Sequence, residues 1–258
     1  MTRIVAIANQ KGGVGKTTTA INVSSSMAAA EKRALVVDMD PQANLTSGLG
    51  IDTSVLSKTI YRGLVEGAPA DELIQDTDLL TLKVLPSERN LTGAEIELVD
   101  QPRREHRLRD VLEPIAGAYD YIFIDCPPSL GLLTVNALVA AHSVLIPLQC
   151  EFFALAGVSE LMSTIERVRA SFNPKLEIEG IVFTMVDERT NLTGQVMEDV
   201  RQNFPGIVFG SVIPRNVRLA EAPSFGKPIL LYDVRSRGAE AYLSLTREIL
   251  GHEAQSAR

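Results

Sequence analysis

The feature that most constrains this chain is a glycine-rich loop near its start, between an apolar run and a helical pattern. The run Ile4–Ala8 precedes the loop and a helix is expected over Thr17–Ala30. The loop consists of Lys11, Gly12, Gly13, Val14, Gly15, Lys16, Thr17 and Thr18. Strand, glycine loop and helix in that order let backbone N–H groups surround phosphate oxygens. The order predicts a nucleotide-phosphate site, with Lys16 on the β- and γ-phosphates and the Thr17 hydroxyl on Mg²⁺.

The rest of the chain alternates short apolar runs with longer helical patterns. Six further runs are Ala34–Val37, Leu80–Leu85, Tyr121–Ile124, Ser143–Pro147, Gly180–Val186 and Ile207–Phe209. The later helical patterns are Arg104–Ile115, Gly131–Ala140, Val158–Ser171, Thr193–Asn203 and Gly238–Leu250. Such alternation is typical of βαβ units. We expect an α/β fold of one domain, a doubly wound, mostly parallel sheet flanked by helices over residues 1–251. Gly251 should end the last helix, and residues 252–258 should form a disordered polar tail.

Bulk composition excludes several classes of protein. Hydrophobic residues make up 45% of the 258 residues, which favours a large buried core over global disorder. Two cysteines, Cys126 and Cys150, are too few for a disulfide scaffold. No stretch approaches the roughly 18 uninterrupted apolar residues of a transmembrane helix. These observations predict a cytoplasmic protein without a membrane span.

Acidic residues follow two of the predicted strands. Asp38 and Asp40 come at the end of the second run, and Asp125 follows the apolar run Tyr121–Ile124 in the manner of a Walker B strand. Ligands of open parallel sheets bind at the carboxyl ends of the strands. We therefore expect Thr17, Asp40 and Asp125 at a magnesium site, with Asp38 as a supporting group.

The loop departs from the ordinary P-loop pattern, whose first glycine would fall at Gln10. It fits K-G-G-x-G-K-T-T in full, and this form resembles the deviant Walker A motif of the ParA/MinD ATPases. The resemblance implies that Lys11 crosses a dimer interface to the partner's nucleotide and that Asp40 orients the attacking water. It thus implies a nucleotide-sandwich homodimer with Lys11, Lys16 and Asp40 as its catalytic residues.

Later segments are also similar to this family. They are residues 146–154, 183–190, 212–216 and 221–228, and the resemblance extends from residue 3 to about residue 250. It is to the short chromosomal members often called Soj. The resemblance implies ATP and ADP as nucleotides, Mg²⁺ as cofactor and slow hydrolysis. It also implies that Met185 and the segment Pro214, Arg215 and Asn216 border the adenine.

The family further implies a role in chromosome or plasmid segregation. Its partners would be nonspecific double-stranded DNA and a ParB-type centromere-binding protein that stimulates hydrolysis, so the protein would be nucleoid-associated. The chain has a net charge of −7, but residues 189–258 carry nine basic and seven acidic side chains. Because phosphate binding depends on local charge, a basic face can exist on an acidic protein. The candidate DNA-binding residues are Arg189, Arg218, Arg235 and Arg237.

Three further kinds of protein share the loop motif. A MinD-like membrane-cycling ATPase would need a C-terminal amphipathic helix, whereas Thr246–Glu253 is short and balanced in charge. A reductase like the nitrogenase iron protein would bridge its dimer with an iron–sulfur cluster held by cysteines. A biosynthetic P-loop enzyme that phosphorylates or amidates a small molecule would add a substrate site. No separate constellation of residues indicates one.

Overall fold

The computed structural model describes residues 2–187 and 189–256. Glu188 of the segment 183–190 and the last two residues of the predicted tail lie outside this range. The strands are β1 (Arg3–Ile7), β2 (Ala34–Asp38), β3 (Gln75–Asp76), β4 (Leu82–Leu85), β5 (Tyr121–Asp125), β6 (Ser143–Gln149), β7 (Glu177–Val186) and β8 (Val208–Pro214). They form one sheet in the order β3-β4-β2-β5-β1-β6-β7-β8. Every pairing is parallel except that of β3 with β4. The predicted fold class is confirmed.

Helices cover both faces of this sheet. They are α1 (Lys16–Ala29), α2 (Asn44–Gly48), α3 (Ala70–Leu73), α4 (Leu91–Glu97), α5 (Arg107–Leu112), α6 (Leu132–Ala140), α7 (Ala154–Ser171), α8 (Asn191–Asn203), α9 (Val217–Glu221), α10 (Ile229–Tyr232) and α11 (Arg237–Ser256). Along β1, Val5 and Ile7 belong to the hydrophobic cluster under α1 and α11, whereas Ile4 and Ala6 belong to the cluster under α6 and α7. Alternate side chains of a strand point to opposite faces, so a strand covered on both faces is apolar throughout.

Three details of the secondary structure differ from the sequence-based expectation. The two-residue strand β3 was not predicted, because it is too short to show a pattern. The helix α11 continues through Gly251 to Ser256, so the predicted stop at Gly251 was wrong. Glycine lowers helix propensity by about 1 kcal/mol, and packing of the flanking turns overrides a penalty of that size. In the weakly patterned region before residue 70, the chain forms a π-helical turn at Arg62–Glu66.

The sheet register brings the acidic residues together. Asp38 of β2 is paired with Asp125 of β5, and Asp125 is also paired with Ile7 of β1. The carboxyl ends of three neighbouring strands therefore meet at one edge, and the glycine loop leaves β1 at the same place. Within the described part of the chain, no helix is long and apolar enough to cross a bilayer.

Candidate active site

The glycine loop is fixed by hydrogen bonds from side chains outside it. Thr184 Oγ1 of β7 donates to the Val14 carbonyl oxygen at 2.8 Å. Asn9 Nδ2 donates to the Pro147 carbonyl oxygen at 2.8 Å, while Asn9 Oδ1 accepts from the Lys11 N–H at 3.0 Å. The loop is therefore tied to β6 and β7 as well as to β1, which continues into it.

Glycine is required at two positions of this loop. Gly13 and Gly15 have φ values of 75° and 85°, in the left-handed region that side chains disfavour. The turn at Gly15 starts α1 directly at Lys16, and no side chain of the described residues caps that helix. Free N–H groups and the helix dipole at such a terminus attract anions. The end of α1 that faces the loop is thus suited to phosphate.

Lys16 is a buried cation at the centre of the site. Its side chain is almost fully buried, and its Nζ donates to the Lys11 carbonyl oxygen at 3.0 Å. Burial lowers the pKa of Lys16, while the nearby Asp125, Cys126 and Asp40 raise it in part. A positive charge held beside the loop is what a β- or γ-phosphate would meet.

Asp125 is completely buried, and its two carboxylate oxygens have no hydrogen-bond partner among the described residues. Burial raises the pKa of Asp125 well above its ordinary value, and the neighbouring Asp38 raises it further. The Thr17 hydroxyl is close enough to oppose that rise, although no hydrogen bond of ordinary geometry joins the two. A buried carboxylate without a partner is costly unless a cation neutralises it.

The orphaned carboxylate tests whether a magnesium ion fits here. Mg²⁺ prefers oxygen ligands and is usually held by one or two carboxylates together with substrate phosphates. Asp125, the Thr17 hydroxyl and the Asp40 carboxylate supply such oxygens, and they fit the ion in chemistry. No group of three acidic, histidine or cysteine side chains among the described residues forms a metal site without substrate. The ion would therefore arrive with the nucleotide.

A cavity of about 620 Å³ opens beside the loop. Its size lies in the range of small-molecule sites. Ten of the predicted nucleotide residues border it: Gly12, Gly13, Gly15, Lys16, Thr17, Thr18, Met185, Pro214, Arg215 and Asn216. Asp40 borders it too, whereas Lys11 and Val14 do not. Asp38 also lies off the wall, because its carboxylate accepts hydrogen bonds from Asp40 and Thr46.

The far end of the cavity is the more apolar one. Met185 lies there with φ 50°, a left-handed conformation that is unusual for a residue with a side chain. Asn216 begins α9 by accepting from the Arg218 N–H at 2.8 Å. Sequence reasoning missed Thr184 and Tyr242 in this wall. Tyr242 of α11 is buried and its hydroxyl lies 3.2 Å from Thr19 Oγ1, a contact that no local pattern signals.

The signature lysine of the loop points away from the cavity. The Lys11 ammonium forms an ion pair with Glu151, and both side chains are about half exposed. Directly after Glu151, Phe152 and Phe153 are 77% and 72% exposed, and their rings meet edge to face at 5.0 Å. The rim of the site thus carries a cation and two exposed aromatic rings.

The predicted DNA-binding arginines lie on the surface, but two of them have acidic partners. Arg189 pairs with Asp187 and holds the pKa of that carboxyl at about 2. Arg218 pairs with Glu221 at 2.9 Å. Arg237, together with Arg189 and Arg215, lines a second groove of about 910 Å³ that continues from the cavity. Arg235 shows a backbone hydrogen bond to Asp233.

The two cysteines have no partner in each other. Cys126 is buried next to Asp125, and burial raises the pKa of its thiol. Burial also raises the pKa of Cys150 to about 11. Thiols with raised pKa values are poor nucleophiles and poor metal ligands.

Comparison with known proteins gives consistent matches. The sequence model of the AAA domain family matches residues 2–178. The chain is 59% identical over 248 residues to the chromosome partitioning protein ParA of Myxococcus xanthus, covering 96% of this chain and 88% of that protein. It is 54% identical over 249 residues to the sporulation initiation inhibitor protein Soj of Bacillus subtilis, covering 96% and 98%.

Two solved structures extend the comparison. The cobyrinic acid a,c-diamide synthase of Mycobacterium smegmatis, solved with ADP and magnesium, has a TM-score of 0.87 and 37% identity and covers 100% of this chain and 97% of its own. The cell division ATPase MinD of Pyrococcus furiosus has a TM-score of 0.82 and 27% identity, covering 98% and 100%. The fold is therefore shared along nearly the whole chain.

Proposed function

Because the chain belongs to the ParA/Soj family of chromosome-partitioning ATPases, we propose that it is an ATP-dependent switch that alternates between a monomer and a DNA-binding dimer. The observation that carries this proposal is the single cavity that brings together the helix start, Lys16, Thr17 and Asp40 above the buried Asp125. These are the groups that binding and hydrolysis of Mg-ATP require.

The residues of this chain divide the work of hydrolysis among them. The open N–H groups at the start of α1 and the Lys16 ammonium hold the phosphates and stabilise the negative charge that develops on them. Asp125 and the Thr17 hydroxyl hold Mg²⁺, which supplies positive charge to the phosphate oxygens when bound. Asp40, on the cavity wall, orients water for in-line attack. Catalysis is then positioning and charge stabilisation, with no covalent intermediate on the protein.

The position of Lys11 supports a role across a dimer interface. Its ammonium is half exposed at the rim and does not border the cavity of its own protomer. In a face-to-face dimer the same group can reach the partner's nucleotide, as the family resemblance implies. The γ-phosphate then favours the dimer, because the two states bind it with different affinity.

The DNA and protein partners complete the proposed cycle. The dimer would double the surface that carries Arg189, Arg218, Arg235 and Arg237, and duplex DNA would bind there without sequence preference. Hydrolysis would release it, and a ParB-type protein would accelerate that step. The protein would accordingly work in the cytoplasm on the nucleoid.

The structural similarity to a diamide synthase gives the one competing function that an observation favours. The second groove, which continues from the nucleotide cavity, could hold a small-molecule substrate. The ParA and Soj relatives are more similar in sequence, at 54% and 59% identity against 37%. ADP release that depends on cobyrinic acid and an amide donor would support the synthase instead.

The cysteines and the C-terminal helix bear on an iron–sulfur reductase and on a membrane-cycling ATPase. Cys126 is buried beside Asp125 and not at the rim that carries Lys11, which argues against a cluster shared between protomers. Liposome pelleting with ATP would test membrane cycling.

The proposal is tested with Asp40→Ala, which should bind ATP without hydrolysing it and so accumulate the dimer. We expect this variant to be dimeric and to retain nonspecific duplex DNA with ATP but not with ADP. Mass in solution and DNA retention are measured together across a salt series. Adding Arg189→Ala should reduce DNA retention and leave the dimer intact.

A dimer that ignores DNA at low salt would leave the ATPase in place and remove the DNA role. A monomer with ATP bound would contradict the assignment of Asp40.

A further inference from the structure

The backbone of Asp40 is held on both sides by a closed ring of hydrogen bonds. Asp38 Oδ1 accepts from the Asp40 N–H at 3.1 Å, and Ser87 Oγ donates to the Asp40 carbonyl oxygen at 2.8 Å. Thr46 closes the ring. Its hydroxyl donates to Asp38 Oδ2 at 2.7 Å and accepts from the Ser87 N–H at 3.0 Å.

The sheet explains why residues so far apart in sequence meet here. Strands β2 and β4 are parallel neighbours, with Val37 opposite Leu85, so the segments that follow them leave the sheet side by side. Asp38, Thr46 and Ser87 are each 0% exposed. Buried hydrogen bonds do not exchange with water and hold their partners more tightly than exposed ones do.

Further contacts show what the ring adds. The Ala43 N–H also donates to the Asp40 carbonyl oxygen, at 2.9 Å, and the Met39 N–H donates to the Asp125 carbonyl oxygen at 3.0 Å. The Asp40 segment is thus tied to β5 on one side, while Ser87 ties it to β4 on the other. Loss of the Ser87 hydroxyl would remove one of two hydrogen bonds to this carbonyl and leave the local fold in place.

We propose that Ser87 and Thr46 are positioning residues for ATP hydrolysis. They hold the backbone of Asp40 so that its carboxylate keeps one direction on the cavity wall. Neither side chain borders the cavity, so neither contacts the nucleotide. The inference rests on the proposed role of Asp40 and adds the residues that keep it in place.

Ser87→Ala and Thr46→Val test the ring, because each removes a hydroxyl with little change in shape. We expect kcat to fall roughly three- to thirtyfold in each, since small misplacements of a catalytic group are costly. KM and the affinity for a fluorescent ATP analogue should stay unchanged. In the double variant the loss should be close to the larger single loss, because both changes open the same ring.

Ser25→Ala is the matched control. Ser25 is fully buried, and its hydroxyl donates to the Ile21 carbonyl oxygen of its own helix at 2.6 Å. Its kcat should equal that of the unchanged protein, and thermal unfolding of all variants is followed in parallel.

The outcomes separate this inference from the proposed function. If Asp40→Ala hydrolyses ATP at the normal rate, the role of Asp40 itself is wrong. If Asp40→Ala is inactive while Ser87→Ala and Thr46→Val keep full kcat, the positioning role is wrong. A loss explained by weaker nucleotide binding or by unfolding, or strictly multiplicative losses in the double variant, would also overturn it.

Discussion

Lys11 and Lys16 lie in one loop and have opposite surroundings. Lys16 is buried beside Asp125 and points along the cavity, whereas Lys11 is half exposed and paired with Glu151 at the rim. The buried lysine can act on the nucleotide of its own protomer. The rim lysine has to leave Glu151 before it can act on a partner's nucleotide.

Glu151→Gln should make dimerisation easier by weakening the hold on Lys11. Exposed ion pairs contribute about 0–1 kcal/mol, so the ATP concentration for half-maximal dimerisation should fall by up to about fivefold. Mass in solution against ATP concentration measures it. Glu160→Gln is the control, since Glu160 accepts from Gln10 at 3.0 Å. A higher threshold in Glu151→Gln would show that Glu151 assists the dimer.

The residues of the site differ in how far the sequence could indicate them. The glycine loop, Asp40 and Asp125 follow predicted strands directly, and the motif alone placed them at one edge. Ser87 and Thr46 were not predicted, because a serine and a threonine in ordinary turns carry no pattern. They meet Asp38 only through the order of β2 and β4, which local spacing does not fix. The direction of the Lys11 side chain likewise depends on Glu151, 140 residues away.

At the scale of elements, the edge strand β8 is held by a helix residue. Glu248 of α11 accepts from the Gly210 N–H at 2.8 Å and from the Ser211 N–H at 2.7 Å. Edge strands carry unpaired backbone groups that promote aggregation unless something covers them. The Glu248 carboxylate covers two of these groups.

Glu248→Ala should therefore lower the free energy of unfolding by about 1–2 kcal/mol, the usual range for hydrogen bonds to a charged group. Chemical denaturation measures this loss. Glu240→Ala serves as the control because Glu240 also lies on α11 and lines the same groove. Equal stability of the two variants would show that the carboxylate does not hold the strand.

Another tie between elements involves His142, just before β6. Its ring Nδ1 accepts from the Ile4 N–H of β1 at 3.0 Å, although the residue as a whole is largely exposed. Burial of the ring lowers the pKa of His142, and Arg3 and Arg109 lower it further. Protonation would remove the acceptor that Ile4 uses.

The unfolded chain therefore binds this proton at higher pH than the folded chain does. Stability should decrease as the pH falls below about 6.5, the ordinary pKa of histidine, towards the lower pKa of the folded state. His142→Gln should lose less stability over this interval. Unfolding midpoints between pH 8 and pH 5.5 compare the two proteins, and parallel curves would contradict this contribution.

Element boundaries were predicted with uneven success. Seven runs became seven strands, because buried parallel strands are apolar at almost every position. The extent of β8 was missed, since only its first two residues fall in the predicted run Ile207–Phe209. Its later residues are partly exposed and lack that signature. The continuation of α11 past Gly251 was missed because glycine is a common but not obligatory end of a helix.

At the scale of the whole molecule, the rim of the site has an exposed aromatic pair. Phe152 and Phe153 follow Glu151 and lie near Lys11, the residue proposed to cross the interface. Large exposed aromatic residues are enriched where proteins associate. The pair suits the interface of the ATP-bound dimer.

Phe152→Ser and Phe153→Ser should weaken that dimer about tenfold or more, since buried aromatic residues contribute strongly to interfaces. ATP affinity of the monomer should not change. Sedimentation with a non-hydrolysable analogue measures the association. Phe225→Ser is the control, because Phe225 is also exposed and stacks on Tyr232 outside this loop. A normal dimer in both loop variants would place the pair outside the interface.

The central position of β1 has a consequence for how the protein is made. The first strand to leave the ribosome lies between β5 and β6, the strands that begin at Tyr121 and Ser143. Contacts between segments so distant in sequence form late, after the intervening chain exists. A growing chain therefore carries its phosphate loop for more than half of its synthesis without the strands that support it. Premature termination before β6 should yield fragments that cannot bind nucleotide, which protects the cell from half-made switches.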